Sequence, residues 1–295
     1  MQVEATQKQT GLARWFLSYY RPHLGLFILD MVCASVIAGV DLIFPITTRT
    51  MLNEYVPNDM YNAFLYAVIF LVAAYLFRSV MLYVVSYYGH TMGVRIEADM
   101  RSDLFNHVQQ MPFSFFDKTR TGQIMSRVLN DLFDVTELAH HGPEDLFISL
   151  ITLIGSFLYL LNVQWVLALV VFAMVPILVL FISRQRMRLH KTSLKVRERM
   201  AGINTELESS ISGTRVAQAF ANEEYESEKF SHGNEQFKTA KSQQYKAMSV
   251  FHAGMEFLTA TMPLLVIVVG GFLIMRDSMD LQDLITFNLF VASFT

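Results

Sequence analysis

The sequence predicts an all-α membrane protein, and three observations carry that prediction. Hydrophobic residues make up 53% of the 295-residue chain and charged residues only 17%, where a soluble domain averages roughly 45–50% and 25%. Six apolar stretches recur along it, five of them long enough for a helix to cross a ~30 Å hydrocarbon core. These stretches are apolar on every side, whereas a membrane β-strand alternates apolar and polar residues over about ten positions. Lysine and arginine collect in alternate connections, the pattern of a multispanning helical protein.

Met1–Thr10 is polar and lacks the short apolar core and small-residue cleavage site of a secretory signal, so the first span is expected to be retained. Residues 11–22 contain Arg14-Trp15-Phe16-Leu17-Ser18-Tyr19-Tyr20-Arg21, ended by Pro22. That reads as an amphipathic helix in the headgroup layer, with a soluble helical cap as the alternative. The main domain is expected over 23–295, with spans at Leu24–Ile46, Tyr61–Tyr88, Leu146–Leu161, Trp165–Ser183, Phe257–Met275 and Leu284–Thr295. The sixth is about half a span. It predicts a chain that continues past Thr295.

Orientation follows from the cations. Arg95, Arg101, Lys118, Arg120 and Arg127 lie between the second and third spans, and a longer run from Arg184 to Lys246 lies between the fourth and fifth. The opposite connections offer Arg49 and Arg276. The N-terminus and the two long loops are therefore expected in the cytoplasm. From Gly89 to Gln110 there is no proline, and Met92, Ile96, Met100, Leu104 and Val108 recur every four residues. This predicts that the second span continues outward as an amphipathic helix. From Asn58 to Gln110 such a helix would be ~80 Å long, more than twice the hydrocarbon thickness. The same pattern runs from Trp165 through Val216 and returns from Phe230 into the fifth span. Two soluble loops packed on the membrane face are the alternative.

The chemistry-bearing residues are few. Cys33 is the single cysteine, which permits no internal disulfide, and no zinc spacing exists. His140-His141-Gly142-Pro143-Glu144-Asp145 has ligand residue types, but adjacent histidines face different sides of a helix and Gly-Pro should break the run. No metal site is expected. Among the charges inside spans, Arg78 and Glu256 read as lying near the cytoplasmic headgroups, where snorkelling suffices. Asp41 lies one turn before Pro45, where a kink could open the helix, so it is the better candidate for a substrate cavity, with Phe44 and Phe257. Packing or lipid contact is the alternative for the aromatics. Gly89-x-x-x-Gly93 and Ser35-x-x-x-Gly39 suit close helix approach.

Each long loop has a tip where the helical pattern breaks. The first, Met111-Pro112-Phe113-Ser114-Phe115-Phe116-Asp117-Lys118-Thr119, clusters three phenylalanines after a proline. Exposed at a cytoplasmic tip they imply a partner that covers them. The second, Gln218-Ala219-Phe220-Ala221-Asn222-Glu223-Glu224-Tyr225-Glu226-Ser227-Glu228-Lys229-Phe230, spaces aromatics in an acidic setting. A solvated hairpin tip is equally open there.

Taken together, Phe115-Phe116-Asp117, Thr121-Gly122-Gln123-Ile124-Met125-Ser126-Arg127, Asn130-Asp131 and Gln218-Ala219-Phe220-Ala221-Asn222-Glu223 with Tyr225-Glu226 and Lys229-Phe230 resemble the intracellular loops of ABC exporters of the multidrug and lipid flippase type. The resemblance extends over nearly the whole chain. It implies a six-helix transmembrane bundle with long cytoplasmic helical extensions, domain-swapped in a homodimer or heterodimer. It implies two coupling helices that dock on nucleotide-binding domains, the first at Ser114, Phe115, Phe116, Asp117, Lys118 and Thr119. The second would be Asn222, Glu223, Glu224, Tyr225, Glu226, Ser227 and Glu228. It implies a hydrophobic small molecule, lipid or peptide as substrate, and a bacterial plasma membrane as the setting. Nucleic acid is not an expected partner.

The chain departs from the family in one respect. It holds no Gly-x-x-x-x-Gly-Lys-[Ser/Thr] phosphate loop and no Gly-Lys pair, so it has no backbone cradle or lysine for phosphates. The nucleotide-binding domain, with its ATP and magnesium, is expected outside this chain, and no catalytic residue is expected within it. The rival reading is a membrane channel or interaction protein whose tips bind a partner other than an ATPase.

Overall fold

The computed structural model describes residues 12–119 and 121–294; the polar tail expected over 1–10 lies outside the described residues, as do the side chains of Lys118 and His140. Every regular element among the described residues is a helix. In chain order these are α1 (Leu12–Ser18), α2 (Leu24–Thr50), α3 (Tyr61–Val84), α4 (His90–Gln109), α5 (Phe113–Lys118), α6 (Thr121–Ser126), α7 (Leu132–Val163), α8 (Trp165–Phe172), α9 (Met174–Ser212), α10 (Thr214–Ala219), α11 (Glu223–Met275) and α12 (Leu281–Phe294). Single π-helical turns continue α2 through Met51–Tyr55, join α3 to α4 through Val85–Gly89 and lead into α7 through Arg127–Asp131.

Five continuous helical stretches are long and apolar enough to cross a membrane: Arg14–Tyr55, Tyr61–Gln109, Thr121–Val163, Trp165–Ser212 and Glu223–Met275. At 49 and 53 residues, the second and fifth are ~74 Å and ~80 Å long, so each has more helix outside a ~30 Å core than within it. α12 is apolar but only 14 residues long. The chain forms two compact units, Met1–Val163 with Asp280–Thr295, and Gln164–Met279.

In the first unit the four-residue stripe read from the sequence is the core of the α4 end. Met92, Ile96 and Met100 are buried with Tyr19, Tyr20, Leu132 and Ala139, and Leu104 packs against them. The segment that follows α1 thus packs on α4 and α7. Tyr19 Oη donates to Asp103 at 2.8 Å, and His23 Nε2 lies 2.9 Å from Asp99 Oδ2.

Gly142-Pro143 does not break α7, which runs unbroken from Leu132 to Val163. Proline at 143 lacks the N–H that would bond the Ala139 carbonyl one turn earlier. Tyr20 supplies the missing donor: its hydroxyl donates to that carbonyl at 2.6 Å. A freed carbonyl that finds a donor from a neighbouring segment lets a proline stay inside a helix. Pro176 has the other outcome. The run expected as one span over Trp165–Ser183 is interrupted at Ala173, directly after Phe172, whose carbonyl Pro176 cannot serve.

The second unit is an antiparallel pair, α9 on α11, with α8 also against α11. Its register is steady. Phe181 faces Gly254, Ser193 bonds Gln244 at 2.9 Å, Arg199 bonds Gln236 at 2.6 Å and Ser210 bonds Glu226 at 2.5 Å. A side chain at 254 would run into the Phe181 ring. Only glycine lets the two helices meet there.

Candidate functional site

The first tip is built by its proline. α4 stops at Gln109, and Pro112 takes an extended conformation at the N-cap of α5 (φ −67°, ψ 154°). The expected helix at Ser114–Thr119 is found one residue earlier, as Phe113–Lys118. Phe113 is 91% exposed and Phe116 is also exposed, while Phe115 is half-buried and meets Phe116 edge to face at 5.4 Å. Phe113 is thus left almost bare and Phe116 partly so.

The second tip differs from its expected form. Asn222–Glu228 is not a separate short helix: Asn222 caps α11, and Glu223 onward belongs to one helix of 53 residues. The short helix at this end is α10, set apart from α9 at Gly213. The break falls where the backbone turns. Ala221 is left-handed (φ 51°), and the Asn222 N–H returns to the Ala217 carbonyl at 2.9 Å, as at a helix end closed by a left-handed residue. Glu223, Glu224 and Glu226 then occupy the first turn of α11, where the helix dipole favours anions. Phe220 (79%) and Tyr225 (60%) are exposed on either side of the turn.

Inside the apolar segments, Arg78 does not stand alone. It donates twice to Asp41, Nε to Oδ1 at 2.8 Å and Nη2 to Oδ2 at 3.1 Å. One turn away on the same two helices, Phe44 meets Tyr75 edge to face at 5.8 Å. A bidentate guanidinium–carboxylate pair is a strong, directional contact, and it answers the charge of Arg78 within the membrane segment without snorkelling. α2 runs through Pro45 without a break, and the carbonyl that Pro45 leaves without a helical donor is that of Asp41 itself. Asp41 and Phe44 therefore belong to one cluster of the first unit. Phe257 lies in the second unit, on an exposed face of α11.

Two groupings escaped the sequence reading. Arg49, in the last turn of α2, donates from Nε to Asp283 Oδ1 of α12 at 2.6 Å. The sequence counted Arg49 only as a loop charge, although an arginine ending one apolar helix and an aspartate starting another was a usable signal. The other is a meeting of α2, α4 and α7. Asp30 and Glu144 are buried there, the His90 and His141 rings lie 5.3 Å apart edge to face, and Asp30 is within electrostatic reach of the other three. Among the described residues no group of three or more His, Cys, Asp or Glu could hold a metal ion.

Comparison with known proteins follows the same outline. Residues 27–295 match the ABC transporter transmembrane region. The chain is similar to YwjA of Bacillus subtilis strain 168, an uncharacterized ABC transporter ATP-binding protein, with 34% identity over 278 residues, 94% of this chain and 48% of that protein. It is similar to YfiC of the same organism, described in the same words, with 24% identity over 97% of this chain and 47% of that protein. It is also similar to the ATP-dependent lipid A-core flippase of Thiobacillus denitrificans, with 24% identity over 86% of this chain and 44% of that protein. The chain spans about half the length of the curated relatives it matches.

Proposed function

The chain belongs to the family of ABC transporter transmembrane regions, and from that premise we propose that it is the membrane half of an ATP-driven exporter. It is an integral membrane protein. The observation that carries the proposal is the placement of the exposed aromatic tips, Phe113 and Phe116 at the first and Phe220 and Tyr225 at the second, at the ends of helices continuous with the spans. α11 starts at its tip and runs 53 residues without a break. A push on such a tip moves a rigid lever ~80 Å long. Nucleotide-binding domains that close on ATP and magnesium would supply the push, and the bundle would alternate between inward and outward access. The tips and the N-terminus are then cytoplasmic, in a bacterial plasma membrane. The relatives named as ATP-binding proteins, of which this chain matches about half, support an ATPase portion beyond the matched stretch.

One such set of helices is half of a pathway, so the working unit is a dimer of two transmembrane halves. The substrate is a hydrophobic or amphipathic molecule, a drug, lipid or peptide; the flippase relative supports a lipid among these. Aromatic anchors at a docking surface are worth roughly 2 kcal/mol or more each, about thirtyfold in affinity. Phe116→Ala in the full-length transporter, reconstituted in vesicles, should therefore lower substrate moved per ATP hydrolysed. An unchanged ratio would remove the coupling role from this tip. Substrate flux that needs no ATP would favour a channel, with the tips binding some other partner.

A further inference from the structure

The contact between Arg49 and Asp283 is placed unlike a surface ion pair. It joins the last turn of α2 to the first turn of α12, so each helix end carries the charge that its dipole favours, a cation at the C-terminal end and an anion at the N-terminal end. Asp283 is only 8% exposed. Tyr159 of α7 is within electrostatic reach of the same guanidinium, and its ring lies 5.2 Å from that of Phe290. Beneath the pair, Thr286, Phe287, Phe290 and Val291 of α12 are all fully buried. Three apolar helices are thus closed at one end by a polar clasp over an aromatic and aliphatic plug.

α12 owes its place to these contacts. The five residues Arg276–Asp280 connect it to α11, the lever that begins at the second tip, yet α12 packs on α2 and α7. That connection ends three residues before Asp283, the point at which the start of α12 is held. A buried carboxylate that loses its guanidinium is left uncompensated, so the two arrangements of this end, clasped and parted, are separated by a real penalty and not by a continuous slide. Apolar plugs of this kind are likewise bistable.

We propose that Arg49, Asp283 and Tyr159 form the outer clasp of the transport pathway, closed in this structure and opened once in each cycle when α12 parts from α2. The proposal rests on the exporter reading given above. It makes these residues positioning residues for transport.

The test uses the full-length transporter with Cys33→Ala, Arg49→Cys and Asp283→Cys, joined by a short bis-methanethiosulfonate, from which a sulfinate leaves as each cysteine forms a reducible disulfide, and reconstituted in vesicles. ATP-driven transport should be lost on cross-linking and regained on reduction, while the protein that carries Cys33→Ala and Asp283→Cys but keeps Arg49 is indifferent to the reagent. Undiminished transport in the cross-linked protein would show the clasp to be a static brace and overturn the proposal. Failure of the two thiols to cross-link would overturn the juxtaposition itself. A charge-exchanged protein, Arg49→Asp with Asp283→Arg, should transport better than either single exchange; if it is no better, the ion pair is not the clasp. Absence of ATP-driven transport in the unmodified protein would overturn the exporter reading and the clasp with it, a result distinct from a loss that appears only on cross-linking.

Discussion

Tyr20 should matter to α7 only because residue 143 is proline. The Ala139 carbonyl belongs to a residue with no exposed surface, and the tyrosine that serves it is 7% exposed, so water cannot replace the hydroxyl. Tyr20→Phe keeps the ring and its packing against Phe16 and Phe27 and removes only the donor. An orphaned buried carbonyl costs about 1–3 kcal/mol, and that is the expected loss of stability. In a Pro143→Ala background the alanine N–H can bond the same carbonyl along the helix. Tyr20→Phe should then cost no more than about 0.5 kcal/mol, the scatter expected for uncoupled sites. The four proteins would be compared by unfolding in detergent micelles, with helical circular dichroism as the signal. An equal cost of Tyr20→Phe in both backgrounds would refute the reasoning, because it would mean that the hydroxyl does something other than cap the carbonyl that proline frees.

Asp41 and Arg78 should behave as a unit. Asp41→Ala or Arg78→Leu leaves one charge uncompensated and should each cost about 3–5 kcal/mol, while the double substitution should cost less than either; additive losses in the same unfolding assay would deny the pairing. Ala221→Gly removes the left-handed penalty of an alanine at φ 51°, about 1–2 kcal/mol, against about 0.5–1 kcal/mol of added chain entropy. A net gain of about 0–1.5 kcal/mol is expected, and a lower melting temperature would show that the left-handed penalty at this residue is not what limits the turn.

What the sequence made legible was local and periodic. The four-residue recurrence of Met92, Ile96 and Met100 identified the buried face of α4 because burial repeats with the helix. Pro112 marked the first tip because proline acts on its own neighbours. The cover of that α4 face was not legible: Tyr19 and Tyr20 read as headgroup anchors, and only the fold shows them reaching Asp103 and Ala139, 84 and 119 residues away. The second tip falls within the segment read from the sequence, residues 218–230, but its backbone form was not legible there. Its residues matched a pattern for a short helix, yet the backbone turn sits at Ala221, where no glycine or proline announces it.

The prolines show most sharply where local reading stops. Pro45, Pro143 and Pro176 look alike in sequence, each inside an apolar or helical run and each denying a bond to the carbonyl four residues before it. At Pro176 the helix is interrupted at Ala173; at Pro143 it continues because a phenol from the other end of the unit takes the place of the missing N–H. At Pro45 it continues too, and the residue whose carbonyl is freed is the one whose carboxylate holds Arg78. The same local defect goes with a break near Pro176 and with unbroken helix at Pro45, Pro143 and Pro263, and at Pro143 a side chain from a distant segment serves the freed carbonyl. The pairs Asp41 with Arg78 and Arg49 with Asp283 are likewise visible only once the fold brings their members together, and neither member carries the meaning alone.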